Sequence, residues 1–132
     1  MSMTPEQKIK AAILQRAHND SEITLPGPIT ADNVDALYDA NNQDYELQDA
    51  MQAMRCGEVE TGLKCEWSRH YESKAVAAKM PDGSWVGWTY WYGGGKHGEP
   101  EAIDWLEEAY ELDCVEEEKL VVVRTFSLKE AA

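Results

Sequence analysis

Gly93-Gly94-Gly95-Lys96-His97 is the run whose residue types come nearest to a phosphate-handling loop, because backbone N–H groups of glycines can cradle an anion while a lysine neutralises it. A Walker loop needs a glycine five residues before the Gly-Lys pair and Ser or Thr after it, and those places hold Tyr90 and His97. That reading is excluded. A simpler anion or small-ligand site remains, with Lys96, His97 and Glu99 at a strand-to-helix junction where unpaired N–H groups would face the ligand. The plain alternative is that the glycines only let the chain turn. His70 and His97 with Cys56 and Cys65 could be assembled into a zinc site, but eight residues separate the two cysteines and there is no second close pair. A Cys/His nucleophilic pair has no local support either. There is no serine elbow, no dinucleotide fingerprint and no paired-carboxylate motif of the glycosidase kind. No catalytic residue, metal or cofactor is expected, and a non-catalytic reading is preferred.

Carboxylates are the stronger signal. The chain has 25 acids against 12 Lys and Arg, a formal net charge of -13. They are unevenly placed: residues 32–60 hold eight acids and one base, and 99–118 hold ten acids and no base. Between these segments, 61–98 is mildly basic, as is 119–132 at the end. Glu101, Asp104, Glu108 and Glu111 recur at i, i+3, i+7 and i+10, so on a helix they form one stripe with Trp105 at the edge of the apolar arc. A rise of about 1.5 Å per residue spaces those charges roughly 5 Å apart, near the spacing of phosphates along a DNA strand. Asp32, Asp35 and Asp39 make a second, shorter stripe, and Glu116-Glu117-Glu118 a third cluster. A solvated helix face would also be charged. It would mix signs to gain i,i+4 pairs, however, and 99–118 does not.

The elements that position these residues follow from periodicity and caps. Thr4-Pro5-Glu6-Gln7 is a capping-box helix start, and Ile9, Ala12, Ile13 and Ala17 carry a helix over about 5–18. A second helix starts at Thr30 as cap, with Ile29 stapled onto Val34, and buries Val34, Leu37 and Tyr38. A third spans about 44–56, buries Leu47, Ala50, Met51 and Met54, and stops at Gly57. Strand periodicity then takes over, with 66–80 and 84–92 paired around Pro81-Asp82-Gly83. The second of these, Trp85-Val86-Gly87-Trp88-Thr89-Tyr90-Trp91-Tyr92, holds five of the twelve aromatic residues and is apolar on both faces. It reads as a core strand, or as a homodimer interface. A single-strand nucleic-acid platform is disfavoured by the flanking acids. A helix over 99–110 would point Ile103, Leu106 and Tyr110 inward, and Leu112–Val115 with Leu120–Phe126 would form a second hairpin around Glu116–Glu118, with Val121, Val122 and Val123 in a buried strand.

The expected fold is α+β: N-terminal helices in 1–60, then a ββαββ unit in 61–132 with an antiparallel sheet of about four strands, in one domain over 1–132. Three cysteines, no apolar leader and no stretch of transmembrane length lead to the expectation of free thiols and a cytoplasmic location. The acidity argues against direct nucleic-acid binding and against anionic membranes.

The runs Ser68-Arg69-His70-Tyr71-Glu72, Trp85 through Pro100 and Asp104-Trp105 resemble small proteins of enterobacterial tailed phages and prophages. The likeness covers about half the chain and brings no catalytic residues with it. It implies a phage context, in which small acidic proteins often resemble inhibitors of host defence, restriction and CRISPR antagonists included, some of which imitate DNA charge. The expected function is therefore an accessory protein that blocks a basic nucleic-acid-binding surface of a host protein, through Glu101, Asp104, Glu108 and Glu111, Asp32, Asp35 and Asp39, and Trp105 as apolar anchor. Two other classes stay open: a ligand or catalytic site at the Gly93–Glu99 junction, and a homo-oligomeric interaction domain.

Overall fold

A computed structural model describes residues 2–130. Three helices precede a four-stranded antiparallel sheet, as the α+β expectation requires. The helices are α1 (Pro5–Asn19), α2 (Val34–Asn41) and α3 (Gln48–Arg55). The strands are β1 (Val59–Glu60), β2 (Glu72–Lys79), β3 (Trp85–Tyr92) and β4 (Tyr110–Leu112), and they lie side by side in chain order.

α1 begins as its sequence demands. The Gln7 N–H donates to Thr4 Oγ1 at 3.2 Å and the Thr4 N–H donates to Gln7 Oε1 at 3.0 Å, a complete capping box. Ile9, Ile13, Leu14 and Ala17 form its buried side. α2 starts three residues later than its expected first turn. Asn33, not the Thr30 side chain, organises the entry: its Oδ1 accepts from the Thr30 N–H at 2.7 Å and its Nδ2 donates to the Pro28 carbonyl at 3.0 Å. α3 is shorter than expected and ends as anticipated, with Gly57 at φ +74, where a Cβ would also strike Val76 at 2.7 Å.

β2 and β3 pair along their whole length, from Glu72 opposite Tyr92 to Lys79 opposite Trp85. The turn between them is held by Asp82 Oδ1, which accepts from the Ser84 N–H at 2.9 Å and from the Ser84 hydroxyl at 2.6 Å. Val76, Ala78, Met80, Val86 and Trp88 face the helices and join the core. Ala75, Ala77, Thr89 and Trp91 are also buried, but on the opposite face, where the side chains of Tyr110 and Leu112 lie across Gly87. β3 is central, paired with β2 along its whole length on one side and with β4 over Trp85–Gly87 on the other.

Three expectations for the second half are overturned. The helix over 99–110 is reduced to one 3-10 turn at Pro100–Ala102, after which the chain is irregular until β4. The physical reason is the sheet. Trp105 packs on the helix-facing side against Trp88 and Leu106 packs against the same core, whereas Tyr110 sits opposite Gly87 on the outer side. A helix would have kept Leu106 and Tyr110 on one side, being four residues apart. Ten acids without one base over 99–118 also deny that helix any i,i+4 ion pair. The second hairpin does not form: only Tyr110–Leu112 pairs, and 113–130 is exposed and without secondary structure. Val121, Val122 and Val123 are therefore not in a buried strand. The fourth strand of the sheet is instead β1, two residues after Gly57 that pair with Ala77 and Val76.

α3 is tied to β3 twice through one residue. The Trp88 indole N–H donates to the Arg55 carbonyl at 2.8 Å, and the Arg55 guanidinium donates to the Trp91 carbonyl at 2.7 Å. Replacing Trp88 by Phe keeps a ring in the core but strands that carbonyl and leaves part of the site empty. Urea denaturation should show a loss of about 2–4 kcal/mol, and a loss within error would refute the role given to this bond. Gly87→Ala should cost about 1–3 kcal/mol, because the new Cβ lies 2.7 Å from Leu112 Cδ1 and 2.8 Å from Tyr110 Cε2.

Candidate functional site

The structure gathers part of the predicted acidic set into one face. α2 presents Asp35 and Asp39 on its exposed side, each one position after a buried anchor, Val34 and Tyr38. α1 packs beside it and contributes Glu6, Gln7 and Lys10. The irregular segment after the 3-10 turn contributes Asp104.

Lys10 is the hub. Its ammonium lies 3.1 Å from Asp35 Oδ1, 3.6 Å from Glu6 Oε1 and 5.3 Å from the centre of the Tyr38 ring. Burial works to lower the Lys10 pKa, and the carboxylates of Asp35, Glu6 and Asp39 outweigh it, leaving the pKa raised. Asp35 is held on its other side by Gln7, whose Nε2 donates to Asp35 Oδ2 at 3.1 Å and to the Ala31 carbonyl at 3.3 Å. The same Gln7 closes the capping box of α1, so helix start and acidic face are fixed together. The Gln7 and Lys10 bonds keep the Asp35 carboxyl below its ordinary pKa.

Tyr38 reports the field of this face. Burial pushes its phenol up to about 12, and the negative charges of Asp104, Asp39 and Glu6 push in the same direction. Carboxylates from three separate elements thus act on one ring. Among the described residues, Asp39 and Asp104 have no ion-pair partner.

The remaining candidates fall elsewhere. Asp32 is exposed in the turn before α2, Glu101 on the 3-10 turn and Glu108 in the turn before β4. Glu111 lies on β4 and pairs with Lys8, which also reaches Asp82 at 3.6 Å. Lys8 and Lys10 are two positions apart on α1 and so face opposite flanks, which separates Glu111 from Asp35. The stripe of Glu101, Asp104, Glu108 and Glu111 therefore does not exist as a helix face. Trp105 is 3 % exposed, its ring 5.1 Å from that of Trp88, so it is a core residue and not a surface anchor. Lys96, His97 and Glu99 are all exposed, and the junction is pinned by the Glu99 N–H donating to Tyr71 Oη at 3.2 Å. No helix follows that could present an N-terminus to an anion, only a three-residue turn. Tyr38, Lys10 and Glu6 were not singled out from the sequence. The Glu6–Lys10 spacing of four was the available signal for two of them.

Comparison with protein-family models, with curated proteins and with solved structures finds no match.

The Tyr38 shift has a pH signature. Its folded pKa is above the ordinary value of 10.0, so the unfolded chain loses the phenol proton first as pH rises. The stability it contributes is complete below about pH 10 and is lost between there and about 12. Thermal melts across this window should fall less steeply for Tyr38→Phe than for the native chain. Parallel curves would show that the phenol is not coupled to the fold.

Proposed function

We propose that this chain is a non-catalytic phage or prophage accessory protein that acts in the cytoplasm of a bacterial host. Its acidic face engages the basic, nucleic-acid-binding surface of a host defence protein and blocks it by imitating nucleic-acid charge. The observation that carries the reading is the convergence of Glu6, Asp39 and Asp104 on Tyr38, with Lys10 over the same ring and paired to Asp35 and Glu6. Asp35 is oriented by Gln7 and Lys10 before any partner arrives, so little side-chain entropy is lost when it meets a cation. Among the described residues, Asp39 and Asp104 offer charge without an ion-pair partner. Such a surface favours basic partners through steering and complementarity, and its attraction weakens with salt. No helix among the described residues is long and apolar enough to cross a membrane.

The test is charge reversal. Asp35→Lys, Asp39→Lys and Asp104→Lys together should reduce capture of the host target, and inhibition of its nucleic-acid binding, by roughly a hundredfold or more. All three positions are exposed, so far-UV circular dichroism should be unchanged. A folded variant that still inhibits would remove this face from the assignment.

A further inference from the structure

The C-terminal segment and the outer face of the sheet are each incomplete in a way that the other would satisfy. Leu120, Val121, Val122, Val123, Phe126 and Leu128 are all exposed, Val122 the least at 73 %. A run this rich in β-formers is not a solvated linker by composition. Over the sheet, on the side away from the helices, Val59, Leu63, Ala77, Trp85 and Leu112 line an open groove of about 460 Å³. Asp113 and Glu116 also line it and give it an acidic end.

We propose that this groove receives the C-terminal segment of a second copy of the chain, giving a dimer by reciprocal exchange of residues 119–129. Charge and pattern both favour this occupant. Residues 119–129 carry Lys119, Arg124 and Lys129 and no acid, whereas the twenty residues before them carry ten acids and no base. As an extended segment it sets Leu120, Val122, Arg124, Phe126 and Leu128 on one side, the four apolar residues to meet the apolar floor and Arg124 among them to extend its long side chain to Asp113 and Glu116.

The segment does not satisfy its own groove for a local reason. Cys114, Val115 and Glu116 already line one wall as the chain leaves β4. To come back, the chain would have to reverse within Glu116-Glu117-Glu118-Lys119, which has no Gly, Asn, Asp or Pro to form a tight turn and places three like charges together. Crossing to a neighbour needs no turn at all. Exchange of the same segment in both directions closes the pair with two-fold symmetry. The groove lies on the sheet face remote from α1 and α2, so the exchange is independent of the acidic face around Tyr38.

Sedimentation equilibrium on the full chain at micromolar concentration tests this. The native chain should have twice the monomer mass and dissociate as salt is raised. Val122→Asp with Phe126→Asp, both at side chains that are exposed in the single chain, and separately Leu63→Lys on the groove wall, should each give a monomer with an unchanged circular dichroism spectrum. A native chain that is monomeric at every concentration overturns the proposal, whether the segment docks on its own sheet or awaits a foreign partner. A dimer that survives the double substitution overturns it too, and one lost there but kept in Leu63→Lys overturns the choice of groove.

Discussion

The Trp88 side chain is the contact on which the rest of the arrangement depends. It is wholly buried, its indole N–H is bonded to the last carbonyl of α3, and its ring lies against Trp105. One residue of the central strand therefore fixes where the third helix ends and where the segment after the 3-10 turn must run. Removing that segment from a regular helix costs intrahelical hydrogen bonds, and burying a second tryptophan beside the first offsets the loss through apolar area. Asp104 precedes Trp105, so the tryptophan that leaves the surface carries its neighbouring carboxylate to α2.

This is how an acidic face arises without an acidic helix. Glu6 and Lys10 share a flank of α1, Asp35 and Asp39 share a flank of α2, and Asp104 is delivered by the core contact of the next residue. Like charges brought together repel, and the fold limits that cost with one ammonium at the centre and an amide from Gln7. The other flank of α1 is organised in the same manner: Lys8 sits between Asp82 of the β2–β3 turn and Glu111 of β4, tying the first helix to the last strand.

Much of this was legible in the sequence where the signal was local. The Thr4–Gln7 capping box, the Pro81-Asp82-Gly83 turn and Gly57 after α3 each specify a backbone shape within a few residues, and each is present. What failed was periodicity without knowledge of sides. Ile103, Leu106 and Tyr110 have helical spacing, but Leu106 packs with Trp105 on the core side while Tyr110 is needed on the outer face of the sheet, a division set by Trp88 and Gly87 some twenty residues earlier. Val121–Val123 have strand propensity, yet propensity supplies no partner strand. The same limit applies to the site. Asp35 and Asp39 could be grouped from one helix, whereas their meeting with Asp104, Lys10 and Glu6 is tertiary. Trp105, which looked like an anchor at the rim of a stripe, is the reason the stripe is absent.

The sheet order β1-β2-β3-β4 is also the order of the strands along the chain. Each strand pairs with its immediate predecessor, and the three pairings are closed by the loops that connect consecutive strands. Loop-closure entropy rises slowly with length, so none of these steps carries a large entropic barrier by itself. The distant meetings include those of α1 with β3 and β4, between the first twenty residues and the last part of the sheet, and that of α3 with β3. The topology thus confines the strand pairings to consecutive stretches of chain, and leaves the helices, α1 against β3 and β4 and α3 through Arg55 against Trp88 and Trp91, to join the two halves by contacts distant in sequence.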